Sequence, residues 1–164
     1  NGLYDPYFTG TGHQPMGFDE LAALYIRYIV TGAKISVTFI NRDSANPVVV
    51  GITGHEGATF KGASTGYAEI IETGNTVYRV LEPTGGKSNA TVTRSVSLRK
   101  EFAVKDLIGN IEEYGAIVNA SPNNEYFVTA WTDGFGVEDV APMQALVKIE
   151  YTGYFIEPKL LSQS

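Results

Sequence analysis

Residues 34 to 41 alternate: Ile35, Val37 and Phe39 are apolar, and Lys34, Ser36 and Thr38 are polar. A period of two predicts a half-buried strand running on from Ile29. Before it, Phe18, Leu21, Tyr25 and Tyr28 recur at helical spacing, so a helix from about Asp19 to Tyr28 is expected, with these four as its buried stripe. Asp19 is placed to cap it and Glu20 suits the positive end of the helix dipole. The helix has two or three turns, so packing must hold it rather than propensity. Residues 1 to 16 read as a loop punctuated by Asp5-Pro6, Gly10, Gly12 and Pro15.

Further on, Pro47 precedes a short apolar strand, Val48 to Ile52. The five glycines between 51 and 66 (Gly51, Gly54, Gly57, Gly62, Gly66) predict a flexible loop. Strands are expected at Tyr67 to Glu72 and Thr76 to Glu82, then a hairpin turn at Pro83 to Asn89. Thr91 to Phe102 alternates strictly, with Val92, Arg94, Val96 and Leu98 on one side and Thr93, Ser95, Ser97 and Arg99 on the other. Val104 to Ile108 reads as one helical turn and 109 to 124 as irregular. Tyr126 to Trp131 is a strand of β-branched and aromatic residues, and Asp133 to Pro142 an acidic loop. The last strand, Gln144 to Ile156, would extend about 40 Å. One row holds Val147, Ile149, Tyr151, Gly153 and Phe155, and the other Lys148, Glu150, Thr152 and Tyr154. About seven strands and one clear helix, with no βαβ alternation, predict an all-β antiparallel sandwich or barrel.

Composition agrees. The 164 residues suit one domain, 1 to 164. Eighteen glycines, ten tyrosines and eight phenylalanines fit strands separated by turns. With no cysteine, disulfides and thiolate metal sites are excluded. The charge of −6 argues against strong nucleic-acid binding by this body alone. The chain opens at Asn1 without an initiator Met, and a preceding segment is expected.

Candidate chemistry is sparse. His13 and His55 lie 42 positions apart with no metal-ligand spacing, and read as solvated or locally bonded loop residues. No metal site is expected. The nearest candidate is the acidic trio Asp133, Glu138 and Asp139, which could hold calcium. It lacks the alternation of an EF-hand and reads first as a solvated loop. Gly85-Gly86-Lys87-Ser88 resembles the end of a P-loop, but Leu81 stands where that motif needs glycine and a strand follows. No nucleophile elbow or cysteine nucleophile is present, so no catalytic residue and no cofactor is assigned. Arg94, Arg99 and Lys100 put three positive charges on one strand and its end, a candidate nucleic-acid contact. The plainer reading has Arg99 and Lys100 solvated and Arg94 paired with a neighbouring acid.

The opening block is the most specific stretch. Gly2-Leu3-Tyr4-Asp5-Pro6, Gly12-His13-Gln14-Pro15, Phe18-Asp19, Tyr25-x-x-Tyr28 and Val37-Thr38-Phe39-Ile40-Asn41 occur in order. The chain closes on Val147-Lys148-Ile149-Glu150-Tyr151 and Phe155-Ile156-Glu157-Pro158-Lys159. Together these resemble the coat proteins of circular single-stranded DNA viruses that encode a replication initiator, of which circoviruses are the best-known relatives. The resemblance implies a single jelly roll assembling with copies of itself into an icosahedral shell of about 60 subunits. It implies a structural protein of the virion, assembled in the host nucleus, with no enzyme activity and no membrane. It also implies an Arg/Lys-rich arm and a first strand ahead of Asn1, the arm making the main contact with packaged DNA. Tyr-rich loops suit subunit interfaces, because Tyr supplies area and a polar tip at low entropy cost.

Two other readings stand beside it. The coat of a small positive-strand RNA or satellite virus shares the fold. A carbohydrate-binding jelly roll would need an aromatic platform, for which Trp131 with Tyr126 or Tyr154 is the candidate set.

Overall fold

The structure, a computed structural model, describes residues 2–7, 12–57, 59–60, 66–136 and 142–160. Among them the elements run α1 (Phe18–Leu24), β1 (Tyr25–Asn41), β2 (Val48–Glu56), α2 (Tyr67–Glu72), β3 (Thr76–Leu81), β4 (Asn89–Ser97), α3 (Leu98–Glu101), α4 (Ile111–Tyr114), β5 (Gly115–Ile117), β6 (Tyr126–Gly134) and β7 (Met143–Pro158). The strands form two sheets: β4, β5 and β7 pair with β1, and β3 and β6 pair with β2. The chain divides into two compact units, one of residues 34–95 and 127–150, the other of 1–33, 96–126 and 151–164.

The 34–95/127–150 unit is an antiparallel sandwich. In its first sheet, Ile35, Val37 and Phe39 are buried as their alternation predicts, and so is Asn41. The Asn41 amide is held there by the carbonyls of Asn46 (2.9 Å) and Glu82 (3.1 Å). Across β1 and β4, Ser36 meets Thr93 and Thr38 meets Thr91, the descending register of an antiparallel pair. In the second sheet β2 is the middle strand, buried from Val48 to Gly54. It pairs with β3 from Val48↔Leu81 to Thr53↔Thr76.

Several sequence expectations change here. The strand through 48–52 continues to Glu56, so Gly51 and Gly54 lie in a strand rather than a loop. Gly51 belongs there because the Trp131 indole of β6 rests on its backbone, where a Cβ would overlap the ring. Residues 67–72 form a helix, not a strand. Tyr67, Ile70 and Ile71 fall at i, i+3 and i+4, and all three pack with Val49 and Trp131. The Asp133 carboxylate caps the helix by accepting from Tyr67 N (2.7 Å), and Gly74 at φ 73° stops it. Residues 83–89 are not a hairpin. β3 and β4 belong to different sheets, so this turn carries the chain from one to the other.

In the other unit, the helix predicted to Tyr28 ends at Leu24. Ala22, Ala23 and Leu24 favour helix, whereas Tyr25, Ile26, Tyr28, Ile29, Val30 and Thr31 are a β-branched and aromatic run, and β1 takes them. Asp19 makes no cap. Gly17, at φ 80°, occupies that position. Of the predicted stripe, Phe18 and Tyr28 are buried and Leu21 is exposed. Phe18 and Tyr28 meet edge to face at 5.7 Å. Phe155 of β7 gathers Phe18 (5.8 Å), Tyr25 (6.0 Å) and Tyr28 (6.3 Å) around it. The alternation of β4 stops at Ser97, and Leu98–Glu101 turn into a helix. The helical turn expected at 104–108 lies at 111–114 instead. It leads into β5, which pairs with β1 through Arg27↔Ile117, Tyr28↔Ala116 and Ile29↔Gly115.

Two phenols in this unit, the buried Tyr28 and the half-buried Tyr151, are held in their protonated form. Burial pushes Tyr151 up to about 12, and the charge of a Tyr28 phenolate would push it the same way. Tyr28 is also raised, by burial, against the opposing effect of the Leu3 and Tyr4 N–H groups. Unfolded tyrosines ionise near 10.0, so the unfolded state loses these protons first. The stability they contribute is complete below pH 10.0 and is lost as pH rises above it, for Tyr151 towards about 12. A titration following tyrosinate absorbance and far-ultraviolet ellipticity together should show these two phenols ionising only as ellipticity collapses. Complete ionisation of all tyrosines in a folded protein would contradict their burial.

Candidate functional site

The opening block is organised by one hydroxyl. Tyr28 Oη donates to the Ala120 carbonyl (2.9 Å) and accepts from Leu3 N (3.2 Å), with Tyr4 N at 3.5 Å. Gln14 Nε2 donates to the Tyr4 carbonyl (3.0 Å), folding the Gly12-His13-Gln14-Pro15 element back onto the start of the block. His13 is exposed. The block is thus a pinned approach to α1, and its conspicuous residues serve structure.

His55 lies on β2 rather than in a loop. Its Nδ1 hydrogen-bonds the Gly57 carbonyl (3.0 Å), its Nε2 shares a hydrogen bond with the Thr129 hydroxyl (2.9 Å), and it stacks on Phe127. Among the described residues no three of His, Cys, Asp and Glu are grouped for a metal ion. Asp133 spends its carboxylate on the backbone N–H groups of Tyr67 and Gly134 (2.7 and 2.8 Å). Glu138 and Asp139 lie outside the described residues. At the P-loop-like turn, Glu82 closes the loop by accepting from Lys87 N (2.8 Å).

The three predicted basic contacts do not share one strand. Arg94 lies on the inner face of β4 between buried Val92 and Val96. Its guanidinium is bound by the Asn75 carbonyl (3.0 Å) and the Asn75 side-chain oxygen. Arg99 and Lys100 are exposed, but on α3. Arg94→Met is therefore expected to lower stability by about 1–3 kcal/mol in urea denaturation. It should leave the salt dependence of nucleic-acid binding unchanged, because a phosphate would have no access to this side chain.

The aromatic platform is not assembled either. Trp131 is buried, its Nε1 donating to Thr53 Oγ1 (2.8 Å), and Tyr126 is buried with its hydroxyl on Glu101 (2.7 Å). Of the three aromatics only Tyr154 is exposed.

Motifs alone do not point to the polar face of the β4–β1–β7 sheet in the 34–95/127–150 unit. Placing Arg94 inward turns Thr91, Thr93 and Ser95 outward, beside Ser36 and Thr38. The signal is present as the second row of two alternating strands, but hydroxyl residues on a strand are ordinarily only its wet side. No family model matches the chain, and no curated protein matches it.

Proposed function

We propose that this chain is the shell-forming domain of a viral capsid, a jelly roll whose copies close into a small icosahedral particle around a circular single-stranded DNA genome. The observation that carries the reading is the two-sheet antiparallel sandwich of the 34–95/127–150 unit, whose strands cross between sheets at 42–47 and again at 82–88. A jelly roll is built by such crossings between two packed sheets. The ordered opening block is consistent with it: of the residues that carry the resemblance to coat proteins, Leu3 and Tyr4 are held by the Tyr28 hydroxyl and Phe18 and Tyr25 pack on Phe155. In this reading a basic arm ahead of Asn1 supplies most of the charge that neutralises the genome, since the body itself carries −6.

The test is purification of the full-length protein followed by negative-stain microscopy, with released nucleic acid digested by DNase or RNase. Closed shells containing DNase-sensitive nucleic acid are expected. Shells containing RNase-sensitive nucleic acid would move the protein to an RNA virus coat. A stable monomer that binds glycans would overturn the coat reading in favour of a carbohydrate-binding module.

A further inference from the structure

The 34–95/127–150 unit is uneven in charge. Parity places Lys34, Ser36 and Thr38 of β1 on the outer face, because Ile35, Val37, Phe39 and Asn41 are buried. Arg42 follows Asn41 onto the same face and reaches across to Gln144 Oε1 with both Nη2 (2.7 Å) and Nε (3.1 Å). Gln144 thereby fixes the parity of β7, so Lys148 and Glu150 share that face. They lie 3.1 Å apart. From β4 come Thr91, Thr93 and Ser95, all exposed. The face therefore presents three bases, Lys34, Arg42 and Lys148, against one acid, Glu150, in a chain whose net charge is −6.

Between the bases lie two hydroxyl pairs, Ser36 with Thr93 (3.0 Å) and Thr38 with Thr91 (2.8 Å). Each pair uses one hydroxyl hydrogen for its own bond and keeps the second to donate outward. Fixed hydroxyl donors flanked by cations suit the phosphate oxygens of a nucleic-acid backbone, and they carry no base-reading groups. Acids sit elsewhere in the unit: Glu69 and Glu72 are on α2, and Asp133 caps it.

We propose that this face, through Lys34, Arg42, Lys148 and the two hydroxyl pairs, binds the phosphate backbone of single-stranded nucleic acid, and so lines the interior of the shell. The assignment to the shell interior rests on the coat reading. Backbone binding by the face can be measured on dispersed subunits.

The experiment compares the full-length protein with K34Q/R42Q/K148Q and with a control, R79Q/K87Q, whose bases lie on β3 and the 82–88 turn. Binding to an oligothymidylate and an oligouridylate is measured over a range of salt. Neutralising three phosphate contacts on a single strand should lower the slope of log affinity against log salt by about 2. The control should leave the slope unchanged, and T91V/T93V should weaken binding at an unchanged slope. All substituted side chains are exposed, and ellipticity checks that each variant is folded. A slope equal in the triple variant and the wild type overturns the proposal, as does an equal loss in the control. Shells that package normally from the triple variant would remove the face from the interior while sparing the coat reading. Absence of shells with the slope change intact would contradict the coat reading and leave the binding face standing.

Discussion

Tyr28→Ala is expected to destabilise the protein by about 3–5 kcal/mol, on the scale of an aromatic deletion from a packed core. Tyr28 is completely buried and touches Phe18 and Phe155 through its ring. Its hydroxyl also joins three parts of the chain, the opening block at Leu3, the strand β1 and the turn at Ala120. Tyr28→Phe separates the two roles. The ring packing survives, and the Leu3 N–H and Ala120 carbonyl each lose their bond to the hydroxyl, at a cost of about 1–3 kcal/mol. Urea unfolding monitored by ellipticity should rank wild type, Tyr28→Phe and Tyr28→Ala in that order. Limited proteolysis should cut the opening block faster in Tyr28→Phe than in wild type. A Tyr28→Phe variant of wild-type stability and resistance would show that the hydroxyl does not hold the block.

Gly51→Val is expected to be the most damaging single change on β2. A Cβ there meets the Trp131 indole, and the ring has no room to retreat while its Nε1 stays on Thr53. Overpacking of this kind costs about 1–3 kcal/mol and occasionally more. Trp131→Ala removes the ring that packs Val49, Ile70 and Ile71, at about 3–5 kcal/mol. The two effects should not add. With the indole gone, the methyls that Gly51→Val introduces fill vacated space, so the double variant should be more stable than the sum of the singles by at least about 0.5 kcal/mol. A double-mutant cycle from chemical denaturation checks this. Strict additivity would mean that Gly51 is not there for the indole.

These two sites also mark where the sequence can and cannot be read. The C-terminal half of β1 and the whole of β4 follow their alternation, down to Arg94 pointing inward with Val92 and Val96. Period two is enforced by burial of one row, so even a charged residue obeys it once Asn75 binds the end of its guanidinium. Length is harder. Gly51 and Gly54 carry the marks of loop residues, because nothing local shows that an indole 80 positions away requires a bare backbone. The end of α1 is ambiguous because Tyr25 and Tyr28 fit a helical stripe and a strand equally well, and Phe155 of β7 decides it. α2 passes for a strand because six residues hold too little periodicity, and its cap comes from Asp133. β5, three residues long, exists only through its partner β1.

β7 is the instructive half-success. Its extent and both rows are legible, yet the first part of the apolar row is not covered: Val147 and Ile149 remain 52% and 42% exposed, while Phe155 further along packs on Phe18, Tyr25 and Tyr28. An amphipathic pattern shows which row can be buried. Whether another layer lies over it depends on tertiary contacts that no local period encodes. The basic residues show the same limit. Arg94, Arg99 and Lys100 are neighbours in sequence, whereas the bases on the hydroxyl face of the sandwich come from β1, its following turn and β7.

The coat reading turns on whether this chain builds a closed shell with copies of itself. Sedimentation velocity of the full-length protein, across a range of concentrations, decides the matter. A single fast boundary with a mass on the order of 1 MDa, well separated from any single subunit, is the predicted result. A boundary that stays at the mass of a monomer or dimer at every concentration, in protein shown to be folded by ellipticity, would contradict it.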